Sequence, residues 1–236
     1  YTSGYQYKDS NILGFSQTRA NGTGISEFGD ILLQPVTDDR KENFGTTYRK
    51  ETEKAIPGYY TVVLKNNVKV ELTATGRVAF HQYTYPDNKA ILLVDLQHGL
   101  RFLSDSLVLE SNVQVESKNS LSGWCHTKNW VDRKYFFTIR FSQPFYTQEQ
   151  LPVKAKEKAP RYLFGFKLKG GMLQVKIALS TVSEDGAKRN MLDELPHWNF
   201  NEVVSMAKRT WNNYLKRIVI EAPEKQKTIF YSCLYR

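Results

Sequence analysis

From Gly58 to Leu179 the chain is a succession of short β-branched and aromatic runs separated by polar or glycine-containing turns, with no helical period between them. A chain with that texture has few options, because each strand must bury one face against another sheet. Tyr59 to Leu64 is one such run. After Lys65-Asn66-Asn67, a hairpin turn, Val68, Val70 and Leu72 alternate with Lys69 and Glu71, which gives one wet face and one buried face. Arg77 to Tyr83, Ala90 to Leu96, Ser106 to Glu116, Tyr135 to Phe141, Tyr162 to Leu168 and Met172 to Leu179 follow the same rule. Seven or eight strands of this kind predict antiparallel sheets packed face to face.

The pattern changes after Asp193. Val203, Ala207, Trp211, Tyr214 and Ile218 recur at the spacing of an amphipathic helix, with Trp211 expected in its core-facing stripe. Asn199 and Glu202 form a capping-box-like start. Pro223 opens a second helix, with Ile229, Phe230, Cys233 and Leu234 on one face. Two such helices cannot bury their apolar faces alone, so they are expected to be the start of a larger helical domain.

At 236 residues and 41% hydrophobic content the chain can build a sizeable core. Its 33 basic against 24 acidic residues leave a formal charge of +9, but the basic residues are interleaved with acidic ones, as in Lys156-Glu157-Lys158, and form no nucleic-acid motif. No nucleic-acid partner is expected. No apolar run is long enough to span a bilayer, so no membrane partner is expected either, and no signal peptide is recognisable. Cys125 and Cys233 fit neither a disulfide framework nor paired zinc ligands. His81, His98, His126 and His197 lack ligand spacing and read as hydrogen-bonded structural residues, so no metal site is assigned to this chain.

The densest glycine cluster runs from Gly14 to Gly24. Gly22 and Gly24 permit backbone conformations closed to other residues, and Ser16, Gln17, Thr18, Arg19, Asn21 and Thr23 bring hydroxyl, amide and guanidinium groups. That mixture suits a neutral polyhydroxylated ligand. It lacks the Gly-Lys-Ser/Thr ending of a phosphate loop. An ordinary glycine-rich connection between strands would have the same composition. Trp124, Trp130 and Trp198 are candidates for stacking on sugar rings.

Ordered short motifs run through nearly the whole chain: Tyr5-Gln6-Tyr7, Gly14-Phe15-Ser16-x-Thr18, Gly22-Thr23-Gly24, Gly29-Asp30-Ile31, Pro57-Gly58-Tyr59-Tyr60, Glu71-Leu72-Thr73-Ala74-Thr75-x-Arg77, His81-x-Tyr83, Asp95-Leu96-x-His98, Phe141-Ser142-x-Pro144-Phe145, Lys176-Ile177, Trp211-Asn212, and Phe230-Tyr231 to Leu234-Tyr235-Arg236. In these the chain resembles glycoside hydrolase family 92, the calcium-dependent exo-acting α-mannosidases. It departs from the family at Gln17 and Arg19, where many members carry histidines.

The resemblance implies a mainly β fold: an antiparallel β-sandwich (a supersandwich, galactose-mutarotase-like), then a linker and the first helices of a truncated (α/α)6 domain. The expected division is 1–183 for the sandwich, lacking its first strands, 184–199 for the linker and 200–236 for the first helices. The implied parent is an inverting, secreted or periplasmic bacterial enzyme acting on α-mannosides of N-glycans or mannans. Its general acid, general base and calcium site would lie outside this chain, so no catalytic residue is assigned here. The implied partners are mannose-containing glycans and the remaining helical catalytic domain. The expected substrate wall is Phe15, Ser16, Gln17, Arg19, Gly22, Thr23 and Gly24, and Arg19 could bridge two sugar hydroxyls or instead pair structurally with Glu27 or Asp30. The alternatives are a stand-alone carbohydrate-binding β-sandwich and a basic adhesion module that binds polyanions.

Overall fold

Side chains on a strand alternate between its two faces, so a buried set at every second position forces two sheets to close on each other. The computed structural model describes residues 5–19, 27–38, 44–99, 107–155 and 157–235. The strands are β1 (Asn11–Ile12), β2 (Phe15–Ser16), β3 (Leu32–Val36), β4 (Thr46–Ile56), β5 (Tyr59–Leu64), β6 (Lys69–Ala74), β7 (Val78–Thr84), β8 (Lys89–Asp95), β9 (Val108–Ser117), β10 (Ser120–Lys128), β11 (Asp132–Phe141), β12 (Phe145–Gln150), β13 (Arg161–Lys167) and β14 (Met172–Ser180). They form a nine-stranded sheet in the order β1-β4-β5-β6-β7-β14-β11-β10-β9 and a five-stranded sheet in the order β12-β13-β8-β3-β2. All neighbours in both sheets are antiparallel.

Between the sheets lies the main core. Val62, Val70, Tyr83, Phe137, Ile139, Val175 and Ile177 of the large sheet pack with Leu92, Val94, Phe164 and Phe166 of the small one. Each such side chain contributes about 1.5–3 kcal/mol by leaving water. The Lys65-Asn66-Asn67 turn forms as expected, with Asn67 in the left-handed region at φ 62° and its N–H donating to Leu64 O at 2.9 Å.

The large sheet is also covered on its outer face. Here Val78, Phe80 and Ala178 meet Met191 and Leu195, and Phe200 and Val203 beyond them. Met191 belongs to α1 (Glu184–Glu194), so the segment expected as a linker is helical over most of its length. Ser183 caps α1 by accepting from the Gly186 N–H at 3.0 Å. Phe200 and Val203 lie in α2 (Phe200–Leu215), which Asn199 caps by accepting from the Glu202 N–H at 3.3 Å. The last helix, α3 (Glu224–Tyr235), has no buried residue. Trp211, expected in the core, is half-exposed and packs on Tyr235 with ring centroids 4.5 Å apart. Its stripe meets α3 instead of the sheet, because only the first turn of α2 reaches Val78 and Phe80.

Candidate functional site

One end of the sandwich collects the start of β7, the end of β14, the tip of the β10–β11 hairpin and the residues that follow β2. There β2 pairs with β3 through Phe15↔Leu33 and Ser16↔Leu32. The pairing continues beyond the strands: Gln17 N–H donates to Asp30 O at 3.0 Å, Gly29 N–H to Thr18 O at 3.1 Å, and Arg19 bridges Phe28. Residues 14–19 and 28–33 are thus two arms of one hairpin-like excursion. Gly22, Thr23 and Gly24 lie outside the described residues.

A buried ionic cluster fixes the base of this excursion. Arg133 of β11 donates to Asp30 Oδ1 and Oδ2, both at 3.2 Å, and is paired with Glu27. Asp30 also accepts from the Thr18 hydroxyl at 2.7 Å, and its N–H donates back to the same oxygen at 2.8 Å. Glu27 accepts from Asn129 Nδ2 at 2.7 Å and from the Trp130 N–H at 3.3 Å. His98 Nδ1 lies 2.7 Å from Gly29 O. The backbone around the two carboxylates is strained, with Phe28 between them at φ 70° and Ile31 just after Asp30 at φ 54°, and the Arg133 guanidinium covers the Phe28 ring at 4.4 Å. Strain of that kind persists only where the surroundings over-determine the conformation, and here a cation from the opposite sheet does so.

Beside the cluster opens a cavity of about 680 Å³. Gln17, Tyr135, the Thr75–Ala79 turn and the face of α1 carrying Gly186, Arg189, Asn190 and Asp193 line it. Gln17 Nε2 donates to Phe15 O at 2.8 Å, whereas its Oε1 is buried without a hydrogen-bond partner. Leaving a buried acceptor unpaired costs about 1–3 kcal/mol, and this one belongs to a side chain of the cavity wall. Burial, and then the Asp30 carboxylate, push the Tyr135 hydroxyl above its ordinary pKa, so it stays a donor at neutral pH. The neighbouring Glu194 is engaged: it accepts from Thr75 Oγ1 and Arg77 Nε, both at 2.5 Å, and from Arg77 N–H at 2.8 Å. Burial pushes its carboxyl up, but these hydrogen bonds outweigh burial and hold it below the usual range. Burial, reinforced by Asp30, pushes the Cys125 thiol up to about 12, which keeps it protonated at neutral pH.

The residues expected at the substrate wall therefore separate. Gln17 lines the cavity. Ser16 is exposed, while Phe15 is half-buried and packs against Tyr60 and His81 at 6.4 and 6.5 Å. Arg19 is exposed, and the salt bridge to Glu27 or Asp30 does not form: Arg133 holds both carboxylates. Sequence reasoning missed Arg133 and Tyr135. The signal was present, since Arg133 occupies an inward register position with Tyr135, Phe137, Ile139 and Phe141, where a charge needs a buried partner.

Residues 1–180 match the model of the glycosyl hydrolase family 92 N-terminal domain, and residues 186–236 that of the family's catalytic domain. The chain belongs to glycosyl hydrolase family 92. A solved family 92 α-mannosidase from Bacteroides thetaiotaomicron superposes with a TM-score of 0.90 at 29% identity, over 99% of this family 92 chain and 34% of that one. The same enzyme has been solved in complex with mannoimidazole. An uncharacterized secreted glycosidase from Arthroderma benhamiae is 26% identical over 99% of this chain and 36% of its own length. The family 92 chain thus spans about a third of the length of these relatives.

Calcium fits poorly here. Among the described residues no group of three or more His, Cys, Asp or Glu is arranged to hold a metal ion, and both carboxylates at the base of the site are taken by Arg133. No helix among the described residues is long and apolar enough to cross a membrane.

Proposed function

We propose that this chain forms one wall of the substrate pocket of an inverting, calcium-dependent exo-α-mannosidase acting on N-glycans or mannans, in which another part of the protein supplies the general acid, the general base and the calcium ligands. The observation that carries the reading is Gln17, a residue of the cavity wall whose Oε1 has no hydrogen-bond partner, in a chain that superposes at 0.90 on an α-mannosidase solved with mannoimidazole. An amide oxygen accepts from a neutral hydroxyl, and the protonated Tyr135 donates to a second one. Inverting hydrolysis needs two carboxyl groups about 6.5–9.5 Å apart with a water between the base and the sugar. Glu27, Asp30 and Glu194 are each paired with an arginine. This chain's own residues would bind and orient the sugar, and a calcium ion held elsewhere would supply oxygen ligation of mannose hydroxyls. The secreted relative supports a secreted or periplasmic location.

Turnover of an activated α-mannoside tests this. The 236-residue chain alone is expected to show none, with or without millimolar calcium. A protein joining this chain to a complete family 92 catalytic domain should release β-mannose and lose activity on chelation. Hydrolysis by the chain alone, or release of α-mannose by the longer protein, would overturn the proposal.

A further inference from the structure

Three of the four tryptophans are engaged. Trp124 lies under Lys134 Nζ at 3.4 Å, Trp198 under Lys176 Nζ at 4.1 Å and against Phe80 at 6.0 Å, and Trp211 against Tyr235. Trp130 differs: it is 76% exposed, and among the described residues its indole has no ring or cation partner. Water disfavours so large an apolar surface, yet the backbone carrying it is firmly held. Trp130 sits at the tip of the β10–β11 hairpin, next to the pairing of Lys128 with Asp132. Its N–H donates to the buried Glu27 carboxylate, as does Asn129 Nδ2, while Val131 O accepts from Arg133 at 3.3 Å. The cluster that holds residues 14–19 and 28–33 therefore also holds this tip. Arg19, through its bridge to Phe28, lies on the other side of the Glu27–Phe28 step.

We infer that Trp130 is a carbohydrate-stacking platform beside the Glu27–Arg133–Asp30 cluster, taking the apolar face of a pyranose in an α-mannoside. An aromatic residue whose backbone is fixed in advance binds a sugar face without the entropic cost of ordering a loop. The inference rests on the proposed function for the identity of the sugar, but not for the existence of the platform.

Titration of the full chain with methyl α-mannoside and an α-mannobiose, followed by indole N–H NMR signals and by affinity, tests it. The Trp130 signal should shift on binding. Trp130→Ala should weaken affinity about three- to tenfold, and Trp130→Phe should retain most of it. Equal affinity for wild type and Trp130→Ala, or a Trp130 signal unmoved by any pyranose, overturns the platform. A Trp130 signal that responds to another pyranose but not to α-mannosides overturns the mannoside reading and leaves the platform standing.

Discussion

Arg133 and Arg19 separate two roles that look alike in the sequence. Arg133 is 8% exposed between two buried carboxylates, so removing it leaves both charges unpaired, and Arg133→Leu is expected to cost about 3–5 kcal/mol in chemical denaturation. Arg19 is exposed and has no ion pair among the described residues, so Arg19→Ala should stay within about 0.5 kcal/mol of wild type while weakening α-mannoside binding. A stability loss for Arg19→Ala as large as for Arg133→Leu would show that the two had been assigned the wrong way round. His81 makes a pH prediction at the same scale. Burial lowers its pKa to about 3, with Nδ1 2.6 Å from the Tyr83 hydroxyl, so the folded chain keeps it neutral. The unfolded chain takes up the proton below about 6.5, hence stability falls as pH drops from 6.5, by at most about 1.4 kcal/mol per unit. His81→Gln should flatten the slope between pH 6.5 and 5 in urea titrations. An unchanged slope would exonerate His81.

The elements legible in the sequence were those with a clean period. The β5–β6 hairpin, the capped α2 and the helix after Pro223 all form where alternation or helical spacing predicts them. Strands such as Thr46–Ile56, with its run of charged residues, and Leu32–Val36, buried on both faces, carry no alternation to read. The helix α1 was hidden for another reason: Gly186 and six charged residues dilute its apolar face to Ala187 and Met191. Its stability leans on its cap instead, so Ser183→Ala is expected to cost about 1 kcal/mol, measured by thermal unfolding. No change in Tm would mean that packing on the sheet alone holds the helix. The site was legible in part for the same physical reason. Gln17 and Arg19 announce themselves as polar groups in a glycine-rich loop, whereas Arg133 and Trp130 come to them from a strand and a hairpin tip more than a hundred residues away, through contacts no local pattern encodes.

At the scale of the whole molecule the two ends of the chain's charge and apolar surface pull against each other. Met206, Tyr214, Ile218, Val219, Ile229, Leu234 and Tyr235 are 40–78% exposed on α2, α3 and their connection, and α3 touches α2 through Trp211–Tyr235 and the connection through a Tyr231 hydroxyl donating to Ile218 O at 3.1 Å. A surface of that size drives association in water. The net charge of +9 opposes it, because two copies approaching each other repel until salt screens them. The two terms scale differently with ionic strength: screening shortens the repulsion from about 30 Å at 0.01 M to about 8 Å at 0.15 M, while apolar burial barely changes. The purified chain is therefore expected to sediment mainly as a monomer at low salt and to dimerise or aggregate as salt rises to physiological strength. Paired Ile218→Ser and Ile229→Ser substitutions should restore the monomer without moving the thermal transition of the sandwich, since neither side chain is buried. Sedimentation as a monomer at every salt concentration, with amides of residues 200–235 well protected, would show that α2 and α3 are stable without a cover.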